Sequence, residues 1–205
     1  DVLVDKDLRR TLAFCSDKLG RCPFTPKQAP DEGLPVVVVD EEIYRLLPSM
    51  IVATVDKFAR LPWVGDTQAL FGIVERKCAR HGYLSAEAAA HHPKSHPATT
   101  ALPAASVETT TRLRPPDLVI QDELHLISGP LGTMAGLYET AIEALCVREL
   151  GGRDVRPKIV ASTATVRRAQ DQVQALFARP LTQIFPPPGP DRRDSFFART
   201  LPASE

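Results

Sequence analysis

The chain has 205 residues, 43% of them apolar and 24% charged, a balance that is ordinary for a globular protein and suits one domain with a sizeable core. Its 25 basic and 25 acidic residues cancel, so no global field draws in nucleic acid, although a local groove is compatible with that balance. Cys15, Cys22, Cys78 and Cys146 are too scattered for a secreted disulfide framework, and no apolar run approaches the roughly 18 residues of a membrane span; with no signal-peptide pattern, the expected location is the cytoplasm.

Taken in chain order, Asp5 to Lys18 reads as an amphipathic helix, with Leu8, Leu12 and Phe14 apolar and Gly20 beyond its end. Residues 21–34 form a Pro-containing loop. Pro35-Val36-Val37-Val38-Val39 has the composition of a buried strand, and Asp40 can cap a short helix through Leu47 that Pro48 ends. A second buried strand is expected at residues 50–54, running into Thr54-Val55-Asp56-Lys57-Phe58 and then a helix or turn through Arg60.

Residues 62–115 break this rhythm and read as an insertion, partly disordered between about 88 and 111 because the stretch is rich in Ala, His and Thr. Within it, Cys78-Ala79-Arg80-His81-Gly82 places a thiol and an imidazole at zinc-knuckle spacing, with a glycine for the tight turn. Two ligands do not close a tetrahedral site. Cys15 and Cys22 could complete it, or His91, His92 and His96; the competing reading is a surface Cys and a surface His, with the later histidines in a solvated loop.

The richest segment is Pro116-Asp117-Leu118-Val119-Ile120-Gln121-Asp122-Glu123-Leu124-His125. Leu118 to Ile120 reads as a short strand buried on both faces, and Asp122 and Glu123 follow where it emerges. In open α/β sheets the ligand crevice lies at the carboxyl ends of the strands. There, paired acids can serve a metal-bound phosphate and its attacking water, or simply cap the next helix.

Gly129-Pro130-Leu131-Gly132 is a small-residue turn, and Met134, Leu137, Tyr138, Ala141, Ile142 and Leu145 then repeat at helical spacing up to Gly151-Gly152, with Cys146 a small core residue beside them. Lys158-Ile159-Val160-Ala161-Ser162-Thr163-Ala164-Thr165 is another short strand, ending in hydroxyls that can bond a neighbouring carboxylate or phosphate. A Ser/Thr turn that caps the helical run 166–178 is the simpler alternative. Leu181 to Phe185 is a candidate last strand, and Pro186-Pro187-Pro188-Gly189-Pro190 a stiff linker. Alternating strand–helix units imply an α/β domain with a mostly parallel sheet and right-handed crossovers.

The order Ala53-Thr54-Val55-Asp56-Lys57-Phe58, then Asp122-Glu123-Leu124-His125, then Ser162-Thr163-Ala164-Thr165 resembles the first RecA-like motor domain of a superfamily-two helicase of the DExH kind. The last motif carries one inserted Thr relative to the usual Ser-Ala-Thr. Val55 to Trp63, the Cys78-x-x-His81-Gly82 element and Phe185-Pro186-Pro187-Pro188-Gly189 are similar to the DrmA-type helicases of DISARM anti-phage systems. The resemblance covers about residues 35–200.

The resemblance implies a three-layer, P-loop-type RecA-like fold, incomplete here, and a function in ATP-dependent helicase or translocase activity. Asp122 would hold Mg²⁺ through water, Glu123 would activate the water attacking the γ-phosphate of ATP, and His125 would contact the phosphate side or couple it to a partner domain. Ser162, Thr163 and Thr165 would link nucleotide state to nucleic-acid grip, while Thr54 and Lys57 would face the phosphodiester backbone, DNA being expected rather than RNA. Zn²⁺ at Cys78 and His81 is the additional metal expectation, and defence-system proteins are the expected partners.

No Gly precedes a Lys anywhere, so the phosphate-cradling G-x-x-x-x-G-K-[ST] loop is absent, as is an arginine-rich motif six. The expectation is a fragment that does not hydrolyse ATP alone. Residues 1–61 would be the N-terminal part of motor domain one, 62–115 the insertion, 116–185 the remainder, and 186–205 a linker to a second RecA-like domain. Two other classes stay open: a hydrolase whose Asp122 and Glu123 bind a catalytic metal directly, and a non-catalytic interaction domain with a degenerate motor fold.

Overall fold

The computed structural model of the protein describes residues 1–127, 129–163, 169–179, 181–185, 187 and 201. In chain order the elements are β1 (Val2–Asp5), β2 (Arg10–Ala13), α1 (Asp40–Leu46), α2 (Val55–Arg60), β3 (Arg76–Cys78), β4 (Gly82–Leu84), α3 (Ala86–His91), β5 (Ser95–His96), β6 (Ala105–Thr109), β7 (Leu118–Gln121), α4 (Gly129–Cys146), β8 (Arg148–Leu150), β9 (Arg153–Val155), β10 (Lys158–Ala161) and α5 (Ala169–Phe177). They divide into two compact units, Asp1–Val119 with Glu143–Lys158, and Ile120–Ile142 with Ile159–Glu205.

The first unit opens with an antiparallel β1–β2 hairpin where a helix over 5–18 was expected. Local chemistry explains the difference. Asp5 Oδ1 accepts the amides of Asp7 and Leu8 at 2.9 and 2.8 Å, an Asx turn that competes with helical hydrogen bonding. Arg9 completes the reversal in the left-handed region at φ 53°. The expected apolar residues are still used, since Leu12 and Phe14 are buried on the hairpin side.

Helix α1 forms where expected, but Val39 and not Asp40 holds its N-cap, with no side-chain cap bond; Asp40, Glu41 and Glu42 lie in its first turn and Arg45 in its last, signs that suit the helix dipole. Glu42 is buried and its Oε1 accepts the Thr11 amide at 2.7 Å, fastening α1 to β2. The strands expected at 35–39 and 50–54 do not form. Both segments are irregular, and Val36, Val38, Met50, Ile51 and Val52 are exposed. Alternation and β-branching describe what a segment does beside a ladder partner; none lies beside these among the described residues.

The insertion is built as well. Residues 88–111, expected to be partly disordered, carry most of α3 together with β5 and β6 in a four-stranded antiparallel sheet of order β4-β3-β6-β5. Ser85 caps α3 by accepting the Ala88 amide. Cys78, Leu84 and Ala89 form the core beneath, with Ala88 and Val107 against them. Gly82, at φ 94°, turns the chain where a Cβ would lie 2.5 Å from the Arg45 carbonyl oxygen, so the knuckle needs glycine twice over. Arg45 also donates to the carbonyls of His81 and Arg9, at 2.5 and 2.6 Å.

β7 and β10 pair with each other. Lys158 N donates to Asp117 O at 2.8 Å, and four residues further on in both strands Ser162 N donates to Gln121 O at 2.9 Å. Such a constant offset is a parallel ladder; the other described strand pairs are antiparallel. Contrary to the expectation of strands buried on both faces, Leu118, Ile120 and Val160 are exposed. In the second unit, Leu124, Ile127, Ala135 and Phe177 make the core, with Ile159, Val173 and Leu176 packed on it. On α4 the expected inward stripe is only partly inward: Tyr138, Ile142 and Leu145 are half-buried, Met134, Leu137 and Ala141 are exposed, and the buried residue is Ala135 beside the stripe. No helix among the described residues is long and apolar enough to cross a membrane.

Leu124 is 1% exposed and centres the second unit's core. Leu124→Ala is expected to destabilise that unit by about 2–5 kcal/mol, read as a lowered denaturant midpoint; an unchanged midpoint would contradict the packing described.

Candidate functional site

The site is assembled at the carboxyl ends of β7 and β10, whose pairing sets Asp122 beside Ser162. The Ser162 hydroxyl donates to Asp122 Oδ1 in a short hydrogen bond, and the Glu123 amide donates to the same oxygen at 2.9 Å. Among the described residues nothing bonds Asp122 Oδ2. The Ser162 hydroxyl, followed by the Glu123 amide, holds the Asp122 carboxyl below the ordinary aspartate range, so at neutral pH it is an anion facing solvent.

Backbone bonds fix the turn that follows. Leu124 N donates to Ser162 O at 2.9 Å, and Gln172 Nε2 on α5 donates to the carbonyls of Leu124 and Ile127, both at 3.1 Å. With the Leu124 side chain sunk in the core, Glu123 is held between two anchored neighbours. Its backbone adopts the left-handed region at φ 54°, ψ 43°, which is uncommon for a residue with a Cβ and costs on the order of 1–2 kcal/mol. Its carboxylate stays exposed, with Oε2 3.1 Å from His125 Nδ1. Gln172 went unmarked in the sequence reading; the available signal was a polar residue next to Val173 on the helix face that packs inward.

Ser162, Asp122, Glu123 and His125 are therefore brought together, and Thr163 lies exposed at the same strand end. Thr165 lies outside the described residues. An ionised, open Asp122 with a second carboxylate beside it is the donor chemistry that a hydrated, phosphate-bound Mg²⁺ requires.

Thr54 and Lys57 belong to the first unit. Thr54 precedes α2 without a side-chain cap bond and is exposed. Lys57 Nζ pairs with Asp40 Oδ2 at 2.5 Å, both side chains roughly half exposed, a surface ion pair worth about 0–1 kcal/mol that a phosphate could displace.

Cys78 and His81 are both buried, with Cys78 Sγ 3.7 Å from His81 Nδ1. This departs from the alternative of a surface Cys and a surface His. His92 and His96 are half-buried beside them, which corrects the solvated-loop reading, while His91 is exposed. Cys15 and Cys22 are half-buried free thiols that take no part in this cluster. Burial pushes the Cys146 thiol up to about 11, consistent with an inert core residue.

The Ser162–Asp122 bond has a measurable signature. Because it favours the carboxylate in the folded state, its contribution is complete above the ordinary value near 3.8 and is lost as pH falls through the lowered one. Ser162→Ala is expected to raise the Asp122 carboxyl toward its ordinary value in a carboxylate NMR titration. An identical titration curve in the variant would contradict the contact.

No protein-family model matches the chain. Over 166 residues, 81% of its length, it is 54% identical to the DISARM protein DrmA of Bacillus paralicheniformis. The chain spans 14% of that relative's length. The likeness to DrmA-type proteins read from its motifs is therefore borne out.

Proposed function

We propose that this chain, a relative of the DISARM protein DrmA over four-fifths of its length, contributes to the first RecA-like motor domain of an ATP-dependent helicase or translocase. The complete protein acts in the cytoplasm on DNA, in anti-phage defence, alongside other proteins of the same system. The observation that carries the reading is the Ser162 hydroxyl on the Asp122 carboxylate at neighbouring parallel strand ends, with Glu123 next to them in a strained backbone conformation.

In that role Asp122 would hold Mg²⁺ through water, and the ion would supply charge neutralisation on the nucleotide phosphates. Glu123, exposed and adjacent, orients and accepts a proton from the attacking water. His125 sits on the same short turn and holds the Glu123 carboxylate through its Nδ1, so a change at one is felt at the other. Ser162 senses Asp122 directly, and with Thr163 and Thr165 it links nucleotide state to nucleic-acid grip. Thr54 and Lys57 grip the DNA backbone by a hydroxyl and a point charge, neither of which reads sequence.

The fold proposed is the three-layer α/β sheet of RecA-like domains. The exposed apolar residues of 36–38, 50–52, β7 and β10 support it, because such segments are stable only once another strand or helix covers them. The phosphate-cradling loop and the second motor domain would be supplied by chain outside these residues.

In the complete protein, Glu123→Gln is expected to lower DNA-stimulated ATP turnover by about 10²-fold or more while nucleotide affinity is kept. Turnover at the wild-type rate would remove Glu123 from the reaction. Lys57→Ala should weaken DNA binding on every sequence alike and reduce the salt slope by about one; sequence-dependent loss or an unchanged slope counts against the backbone role.

A further inference from the structure

We propose that Cys78, His81, His92 and His96 form a closed, structural zinc site that folds the insertion onto the N-terminal hairpin. One ligand atom from each of the four lies within 4.8 Å of all the others. Cys78 Sγ is 3.7 Å from His81 Nδ1, and His81 Nδ1 is 3.0 Å from His92 Nε2. The edges of a tetrahedron with bonds of about 2.3 Å to sulfur and about 2.05 Å to nitrogen are roughly 3.6 Å for S–N and roughly 3.3 Å for N–N. The observed separations bracket those edges without a metal having set them.

Protons make the stronger argument. His81 Nε2 faces the Asp7 carbonyl at 3.3 Å, and His92 Nδ1 faces the Pro93 carbonyl at 2.9 Å. A carbonyl accepts only, so each ring carries its hydrogen on that outer nitrogen. The two inner nitrogens then present lone pairs to each other at 3.0 Å. A cation between the lone pairs resolves the conflict. His96 Nε2 adds to it, being buried with no hydrogen-bond partner among the described residues. The three rings meet edge to face at centroid separations of 4.7 to 5.2 Å, converging as ligands around one centre.

The outer contacts match those of metal-bound histidines, which donate their second nitrogen to a carbonyl and so lock the ring. The His81 amide also donates to Cys78 Sγ at 3.4 Å. One thiolate and three imidazoles suit Zn²⁺ among the common divalent ions, and four protein ligands leave no position open for a substrate. The role is therefore structural. The ion would join the β3–β4 knuckle, the end of α3 and β5, and through the Asp7 carbonyl it would fix the β1–β2 turn.

The test is elemental analysis of the complete protein purified without chelator, combined with cobalt substitution. About one zinc per chain is expected, falling below about 0.2 in His92→Ala and in His96→Ala, and unchanged in His91→Ala. His96→Cys, which keeps a ligand, should retain the ion. If the alanine variants fail to fold, the wild-type protein loaded with Co²⁺ still decides, by showing tetrahedral d–d bands and one thiolate charge-transfer band. Folded, reduced wild-type protein without zinc would overturn the proposal, as would full zinc content in His92→Ala and His96→Ala or an octahedral cobalt spectrum.

Discussion

The hydroxyl–carboxylate bond between Ser162 and Asp122 is the constraint on which the second unit's chemistry depends. It exists because β7 and β10 run parallel with a fixed offset, so that both strands end at the same level. The bond favours the Asp122 carboxylate, shares its oxygen with the Glu123 amide and, among the described residues, leaves the other oxygen open. Leu124 secures the arrangement from below and Gln172 from the side, a division of labour in which core packing and two carbonyl contacts hold a polar tip rigid. The left-handed Glu123 is sustained by those neighbours, as strained residues at functional positions generally are.

Parts of this were legible in the residues. β7, β10 and the bodies of α1, α4 and α5 fall where short apolar runs and helical spacing place them, although α4 begins at Gly129, inside the expected turn, and ends at Cys146, short of Gly151-Gly152; the acidic pair follows its strand as expected. The hairpin at the N-terminus was not legible, because Leu8, Leu12 and Phe14 fit a helical stripe while the decisive contact is one side-chain oxygen of Asp5 with two amides. Nor did apolar composition foretell that Val36, Val38, Ile51 and Val52 stand exposed. Composition reports an appetite for burial, and burial depends on a partner that periodicity does not reveal.

The cluster of Cys78 and three histidines shows the same limit from the other side. Cys78 and His81 are marked by their spacing, but His96 reaches them because β6 pairs with both β3 and β5, and His92 reaches them from the end of α3. Ala-, His- and Thr-rich composition suggested a solvated loop. Three imidazoles gathered on Cys78, which itself packs with Leu84 and Ala89 in a small apolar core, instead give that segment a reason to fold. In so small a sheet, a bound ion would supply stabilisation that apolar burial alone does not.

The central claim is that Asp122 and Ser162 form one wall of a nucleotide pocket. It is tested most directly by a structure of the complete protein with Mg²⁺ and a non-hydrolysable ATP analogue. The account predicts Asp122 one water away from the Mg²⁺, with Glu123 facing the γ-phosphate and Ser162 still bonded to Asp122. Nucleotide bound elsewhere, or a neighbouring element filling the space in front of Asp122 in that complex, would contradict it.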